Sequence, residues 1–384
     1  MKYKDLSITW RGDVTSYSSI AQYSRGILEP LIKGGASVRL ELTRPSSPEA
    51  VLSEWWVENF KSLTKAQPGK TTIVAGQVGN ITIKSNENVV FIPDWHTKEF
   101  PLALSGILKR SQIQKFIVPN LEMKKSLEKV TDKSVKEVYP LIDVDSLNLV
   151  KPLEINGVNH NTVLFGFIGE WNNKNNISDL VISYFKTFTD KDNVALVLKT
   201  FNGSHGDLNE RKKLSALIKK IKSDCKKPNL PPVILLQETM SYETILSLMK
   251  RINIYISSSR GESFGLDLIS TMAMGKQVIA CDHSLMRTYF EKETFNLKKI
   301  DFSYEPVTLD NKFYNISDDW ARMNMESLSK NMKDAFMAYL FNQSEIKQSS
   351  KEVKKIIRSI NSENQMNKLF EFLNNTYQVP QVTL

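Results

Sequence analysis

Two cysteines and four histidines in 384 residues leave the chain little with which to hold zinc or cross-link itself. Neither Cys225 nor Cys281 sits in a CxxC or Cys/His spacing, which argues against a zinc site or redox pair and leads us to expect a reducing compartment, the cytoplasm. No run of about 18 apolar residues occurs, and the opening MKYKDLSITWRGD has no apolar core of signal-peptide length. Neither a spanning helix nor secretion by that route is expected. Three catalytic signatures are also missing: G-x-S-x-G, the phosphate loop G-x-x-x-x-G-K-[ST], and G-x-G-x-x-G after a strand. Their absence disfavours a serine hydrolase, a P-loop NTPase and a dinucleotide-dependent oxidoreductase.

What is present is an ordinary globular composition, 41% hydrophobic and 24% charged, in a chain longer than the roughly 250–300 residues at which one core stops growing. Two domains are expected. Fifty-one Lys and Arg against 42 Asp and Glu give +9, a bias toward acidic partners such as a nucleotide, an anionic surface or nucleic acid. The densest basic clusters, at Lys219, Lys220, Lys222, Lys226 and Lys227 and at Lys351, Lys354, Lys355 and Arg358, read first as solvated helix faces.

Short β-like runs alternate with helical periodicity, the pattern of parallel sheets with crossover helices. Ile8 and Trp10 end a first strand, Ile20 to Lys33 forms an amphipathic helix stopped by Gly34 and Gly35, and SVRLEL at 37–42 is the next strand. Strands follow at 71–76, 88–93 and 115–119, and a last one near Val138–Asp143 closes the first half. The segment 147–161, with Pro152, Gly157 and several Asn, reads as a linker. A second series then runs through strands at 162–169, 194–201, 232–237, 252–259 and 277–282, with helices near 177–189 and 242–250 and a Lys-rich helix between. From about Met325 the chain is helical and polar, with Leu340, Ile346, Ile356, Ile357, Leu369 and Phe370 as apolar anchors. The fold class is therefore α/β with two Rossmann-like halves, and ligands in such sheets bind outside the carboxyl ends of the strands.

The most informative stretch is INIYISSSRGESFGLDLISTMAMGKQVIACD, residues 252–282. It reads as a buried strand, a polar turn, a helix entered at Gly265, and another buried strand. Amides at a helix start bind phosphate or a sugar oxygen, and the Glu262 carboxylate is suited to accept from hydroxyls. The stretch resembles the donor-binding signature of glycosyltransferase family 4 (glycosyl transferases group 1), in which Ser-x-x-E-G-F-G ends a strand, E-A-M-A-x-G lies on a helix and P-V-I-A forms a strand. Glu262, Phe264, Gly265, Met272, Ala273, Gly275 and Val278–Ala280 fall on that pattern, while Ser270 stands at the family's second Glu, the one assigned to ribose hydroxyls. FGFIGEWNNKNNIS resembles the family's G-x-W-x-x-R-K-N segment, with Lys174 at the Arg position and Asn175 replacing the Lys. In the first half, FIPDWHTKEFP is similar to the W-E-x-x-x-L-P segment, with His96 at the Glu place.

The resemblance implies a GT-B architecture, two Rossmann-like domains facing across a cleft. It divides the chain into an acceptor domain at 1–150, a nucleotide-sugar donor domain at 151–340, and helices at 341–384 packing back across both. The implied reaction moves a hexose from a nucleotide diphosphate sugar, UDP favoured, to an acceptor hydroxyl with retention. Glu262, His96 and Lys174 are the implied catalytic residues. Donor contacts are expected from Ser18, Ser19, Gly169, Lys174, Lys199, Ser259, Ser263, Phe264, Gly265, Leu266 and Ser270. Lysines and helix-start amides can offset the charge of the leaving diphosphate, so neither a metal nor a cofactor is required in principle. The Asp-x-Asp at 143–145 falls in the family's V-x-P-x-G-V-D segment and is not read as a metal site.

Several of these residues have a second reading. Ser18 and Ser19 serve equally as the N-cap of the following helix, Lys174 as a solvated loop lysine, and His96 as a structural loop histidine. His160, His205 and His283 read as incidental. The acceptor stays open among a glycan, a lipid-linked sugar, a protein and a modified DNA base, with Tyr17, Tyr23, Trp55 and Trp56 as aromatics of the first half. Peripheral contact with an anionic surface is compatible with the charge. Ser270, Asn175 and Glu170 motivate the rival class, a GT-B-fold binding or chaperone subunit of a glycosylation complex that has lost turnover.

Overall fold

The structure, a computed structural model, describes residues 2–43, 52–200, 208–291, 294–307, 318–360 and 363–374. The described residues of Met1–Leu141, Asp310–Asp318 and Ser359–Leu384 make one compact unit, and those of Ile142–Leu309 and Asp319–Arg358 a second.

The first unit runs β1 (Ser7–Arg11), α1 (Ser19–Lys33), β2 (Ser37–Glu41), α2 (Glu54–Lys65), β3 (Thr71–Gln77), β4 (Val89–Asp94), α3 (Ser105–Leu108), β5 (Ile113–Val118), α4 (Leu121–Glu128) and β6 (Ser134–Glu137). Its six strands are parallel in the order β2-β1-β3-β4-β5-β6. Val89 to Ile92 are all fully buried, as expected of strands covered on both faces by crossover helices. In α1, Ile20, Tyr23, Ile27 and Leu31 recur every three or four residues and are buried together with Leu28, which is the stripe a sheet-packing helix needs. The last strand lies earlier than its expected place at Val138–Asp143. Ser134–Glu137 pairs with Lys115–Val118, whereas 138–143 is irregular and includes Pro140.

The second unit begins with α5 (Val144–Leu149), so the expected linker at 147–161 is helical at its start. It continues β7 (Val163–Ile168), α6 (Ile177–Thr187), β8 (Val194–Lys199), α7 (Leu208–Asp224), β9 (Val233–Leu236), α8 (Tyr242–Arg251), β10 (Ile254–Ser257), α9 (Leu266–Ala273), β11 (Gln277–Cys281), α10 (Met286–Phe290) and β12 (Leu297–Ile300). A small antiparallel pair, β13 (Phe302–Pro306) and β14 (Asp319–Met323), and helices α11 (Met325–Phe341) and α12 (Gln343–Ile360) complete it. The six main strands are parallel in the order β12-β11-β10-β7-β8-β9. A core of Phe165, Leu196, Ile256 and Ile279 from the sheet meets Tyr184, Phe185 and Phe188 from α6 and its end, and Leu328, Met332 and Phe336 from α11. Of the expected C-terminal anchors, Ile357 and Leu369 are fully buried, but Leu340 is 46% exposed; Leu328, Met332 and Phe336 hold α11 in its place.

Helix α13 (Glu363–Asn374) belongs to the first unit. There the Tyr139 amide donates to Gln365 Oε1 at 2.8 Å and Lys115 Nζ donates to the Phe372 carbonyl at 2.9 Å. The α/β reading with two Rossmann-like halves is what the structure has.

Candidate functional site

In the second unit the chain lays down β7, moves outward through β8 and β9, then returns to place β10 on the other side of β7. This reversal makes the β7/β10 junction a topological switch point, where loops diverge and leave a crevice at the carboxyl ends. Pairing between these strands is limited to Ile254 with Phe165 and Tyr255 with Gly166, whereas β7 and β8 pair over six residues.

Two loops meet there. The loop after β7 starts at Gly169, whose amide donates to the Lys199 carbonyl at 3.0 Å, so the ends of β7 and β8 lie together. It turns on itself: the Asn175 amide donates to Asn172 Oδ1 at 2.9 Å and Asn175 Nδ2 to the Glu170 carbonyl at 2.7 Å. Asn176 then enters α6 in the left-handed region, with φ of 51°. The loop after β10 is tied to it by the Ser258 hydroxyl, donating to the Asn175 carbonyl at 2.6 Å, and by the Arg260 amide, donating to the Lys174 carbonyl at 2.8 Å.

At the far end of the second loop, Glu262 Oε1 accepts from the Gly265 amide at 3.0 Å. Gly265 has φ +54°, a conformation that costs a non-glycine residue free energy, and a Cβ there would lie 2.7 Å from Leu285 Cδ2. The following amides belong to the first turn of α9, where backbone donors have no intrahelical partner and the helix dipole favours an anion. Ser263 and Phe264 are fully buried, Ser259 is nearly so, and Glu262 is partly exposed. The loop after β11 supports the turn from behind. Ser284 Oγ donates to the Glu262 carbonyl at 2.8 Å, and His283 Nε2 lies 3.2 Å from the Ser259 carbonyl. Burial holds His283 below the ordinary histidine range, so the neutral ring donates through Nε2.

The structure thus gathers Gly169, Lys174, Lys199, Ser259, Glu262, Ser263, Phe264, Gly265 and Leu266 at the carboxyl ends of β7, β8 and β10. Lys199 is 5% exposed and Lys174 partly exposed. Ser270 lies on α9 within the same segment and is buried. Ser18, Ser19 and His96 belong to the first unit. Ser18 is the N-cap of α1, its hydroxyl accepting from the Ala21 amide at 3.3 Å. His96 follows β4, with Nε2 3.3 Å from Asp94 Oδ1. Of the aromatics expected near an acceptor, Tyr23 and Trp56 are core residues: Tyr23 OH donates to the Val138 carbonyl at 2.6 Å and Trp56 Nε1 to Glu29 Oε2 at 3.0 Å. His160 is exposed, 3.5 Å from Glu154, and His205 lies outside the described residues.

Three positioning residues were missed from the sequence, and one of them, His283, was read there as incidental although it holds the Ser259 carbonyl. Arg260 pairs with Glu305, donates to Asn176 Oδ1 at 3.3 Å, and covers the Trp320 ring at 5.2 Å. Ser258 and His283 fix the same loop. Only the density of Ser, Arg and His beside the motif hints at this, since the partners of Arg260 lie far along the chain. Among the described residues, no group of three or more His, Cys, Asp or Glu side chains is arranged to hold a metal ion. No helix among them is long and apolar enough to cross a membrane.

Residues 153–297 match the family model of Glycosyl transferases group 1. Among solved structures, sucrose-phosphate synthase from Thermosynechococcus elongatus is similar with 14% identity and a TM-score of 0.64, covering 96% of this chain and 98% of that one. HepE from Anabaena, in complex with UDP, is similar with 12% identity and a TM-score of 0.58, covering 96% and 100%. A glycosyltransferase from Rickettsia africae shows 12% identity and a TM-score of 0.58, covering 97% and 99%. No curated protein matches the sequence. The architecture is that of the GT-B glycosyltransferases, and the matched family segment spans the strands and loops of the candidate site.

Proposed function

We propose that this chain, GT-B in fold and matched by the group 1 glycosyl transferase model over 153–297, transfers a hexose from a UDP-linked donor to an acceptor hydroxyl with retention of anomeric configuration. The observation that carries the reading is the Glu262–Gly265 turn at the switch point of the second sheet. Gly265 engages one carboxylate oxygen of Glu262, and in this reading the other accepts from donor sugar hydroxyls. The start of α9 takes the diphosphate, helped by the ammonium groups of Lys174 and Lys199. These charges stabilise the leaving diphosphate as negative charge develops on it, which is the work a metal ion does in other transferases. Ser270 accepts or donates one hydrogen bond to the ribose, a weaker hold than a carboxylate provides.

HepE is known with UDP and with UDP-glucose, which favours UDP as the nucleotide here. We assign the acceptor to residues 1–150, the donor to 151–340, and to 341–384 the return of the chain across both. His96 is the proposed acid–base or sugar-binding group of the acceptor part, and Ser19 presents its amide to donor or acceptor, whereas the Ser18 amide donates to Ser16 Oγ at 3.1 Å. The acceptor is a glycan, lipid-linked sugar, protein or modified DNA base, met in the cytoplasm, with peripheral contact to an anionic surface. A thermal-shift screen of nucleotide sugars tests the donor assignment: a ligand at 100 times its dissociation constant adds about 2.7 kcal/mol of stability. UDP-hexoses are expected to raise the melting temperature, and no shift with any nucleotide sugar would contradict the reading.

A second reading rests on Asn175. At the position of a family lysine, its side chain is used within the loop, donating to the Glu170 carbonyl. A binding or chaperone subunit without turnover would carry such a substitution. It would bind UDP-hexose yet neither hydrolyse nor transfer it.

A further inference from the structure

The opposite end of the second sheet, where β10 and β11 begin, gathers positive charge from three separate elements. Lys250 and Arg251 end α8, Lys276 sits in the turn between α9 and β11, and Lys354 and Arg358 lie on α12. Lys276 is drawn inward, its Nζ donating to the Lys250 carbonyl at 2.6 Å. Lys250 Nζ reaches the Asn148 carbonyl at 3.4 Å, and Lys354 Nζ reaches Asn148 Oδ1 at 2.7 Å, so one asparagine of α5 joins both. The turn is packed closely against α12: a Cβ at Gly275 would meet Ser350 Oγ at 2.2 Å and Lys354 Cε at 3.5 Å.

Little opposes this charge. Arg251 donates to the Asn159 carbonyl, and among the described residues the acidic group acting on the cluster is Asp145, which is exposed and paired with Arg358. Burial, reinforced by the charges of Lys250, Arg251 and Lys354, pushes the Lys276 ammonium down to about 8. Burial also holds Lys250 and Lys354 below the ordinary lysine range. A partly buried ammonium without a carboxylate is costly, and an apolar side chain of similar size would do the packing at least as well. A counter-anion from outside the chain removes that cost.

We propose that Lys250, Lys276 and Lys354 form a binding site for a phosphate monoester or diphosphate group, separate from the Glu262 loop and independent of the donor reading. Three ammonium groups converging from α8, the α9–β11 turn and α12 suit a compact, highly charged anion. The group comes either from a soluble phosphorylated compound or from a lipid headgroup. Binding recharges Lys276, so the complex takes up protons near pH 8.

The test is calorimetric titration of the full chain with inorganic pyrophosphate, with UDP left out because its own diphosphate would compete for the site. A parallel arm measures co-sedimentation with phosphatidylcholine vesicles with and without phosphatidic acid. Expected are at least tenfold weaker binding in Lys276→Met and in Lys354→Met, binding retained in Lys174→Met, which alters the proposed donor diphosphate contact, and proton uptake at pH 8 that vanishes in Lys276→Met. Binding to pyrophosphate assigns a soluble ligand, and binding confined to phosphatidic acid vesicles assigns a headgroup, provided both variants abolish it. Lys354→Met keeps the test valid should Lys276→Met fail to fold. The proposal is overturned if neither probe binds, if the folded variants bind as the unaltered protein does, or if Lys174→Met weakens pyrophosphate as strongly.

Discussion

The Ser258 hydroxyl donates to the Asn175 carbonyl at 2.6 Å, with both residues buried, so the loop after β10 is fastened to the loop after β7 at the switch point. Removing the donor leaves a buried carbonyl without this partner. Ser258→Ala should therefore cost about 1–3 kcal/mol, measured as a lower urea midpoint at unchanged slope, and it should raise the KM for the donor more than it lowers kcat.

Gly265 enters α9 with φ +54°. Alanine in that conformation costs about 1–2 kcal/mol, and its Cβ would also press on the Leu285 side chain, 2.7 Å away. Gly265→Ala should lower stability to urea by at least that amount and should weaken UDP-sugar binding, because the Gly265 amide holds Glu262.

Acid should loosen the first unit through Glu87. Its hydrogen bonds from Arg11, at 2.6 and 2.7 Å, lower the carboxylate to about 2 from an ordinary 4.5, and burial only partly opposes them. The folded state thus holds its proton less tightly than the unfolded chain. The stabilisation is complete above pH 4.5 and is lost as pH falls toward 2. After allowance for solvent screening, it amounts to about 2 kcal/mol. Glu87→Gln should be less stable at pH 7 and should show a flatter acid limb in urea unfolding between pH 5 and about 2.

The strands and the motif helix were legible because each is a continuous apolar run cut off by Gly, Ser or Asn, as a doubly covered parallel strand requires. That is why Thr162–Gly169 and Gln277–Asp282, read from composition, lie within a residue or two of β7 and β11. The edge strand β6 was missed for the opposite reason. Ser134–Glu137 is mostly polar, while the apolar run after it follows an irregular path past Pro140. In the candidate site, Glu262 and Gly265 were visible as a local pattern, but Arg260 was not. Its partners Glu305 and Trp320 stand 45 and 60 residues away, on a β13–β14 pair whose strands are not joined by a short turn. The Lys276 cluster was hidden likewise, since periodicity on α12 shows Lys354 but not the α8 end or the α9–β11 turn that meets it.

The central claim, that Glu262 holds the donor sugar while the start of α9 holds its diphosphate, is tested most directly by calorimetric binding of UDP-glucose and of UDP to Glu262→Gln. Glutamine keeps an oxygen for the Gly265 amide and loses the charge. UDP-glucose affinity should fall about tenfold or more, on the order of 1.4 kcal/mol, with UDP affinity unchanged. Equal affinities for UDP-glucose in the variant and the unaltered protein, or an equal loss for both ligands, would contradict it.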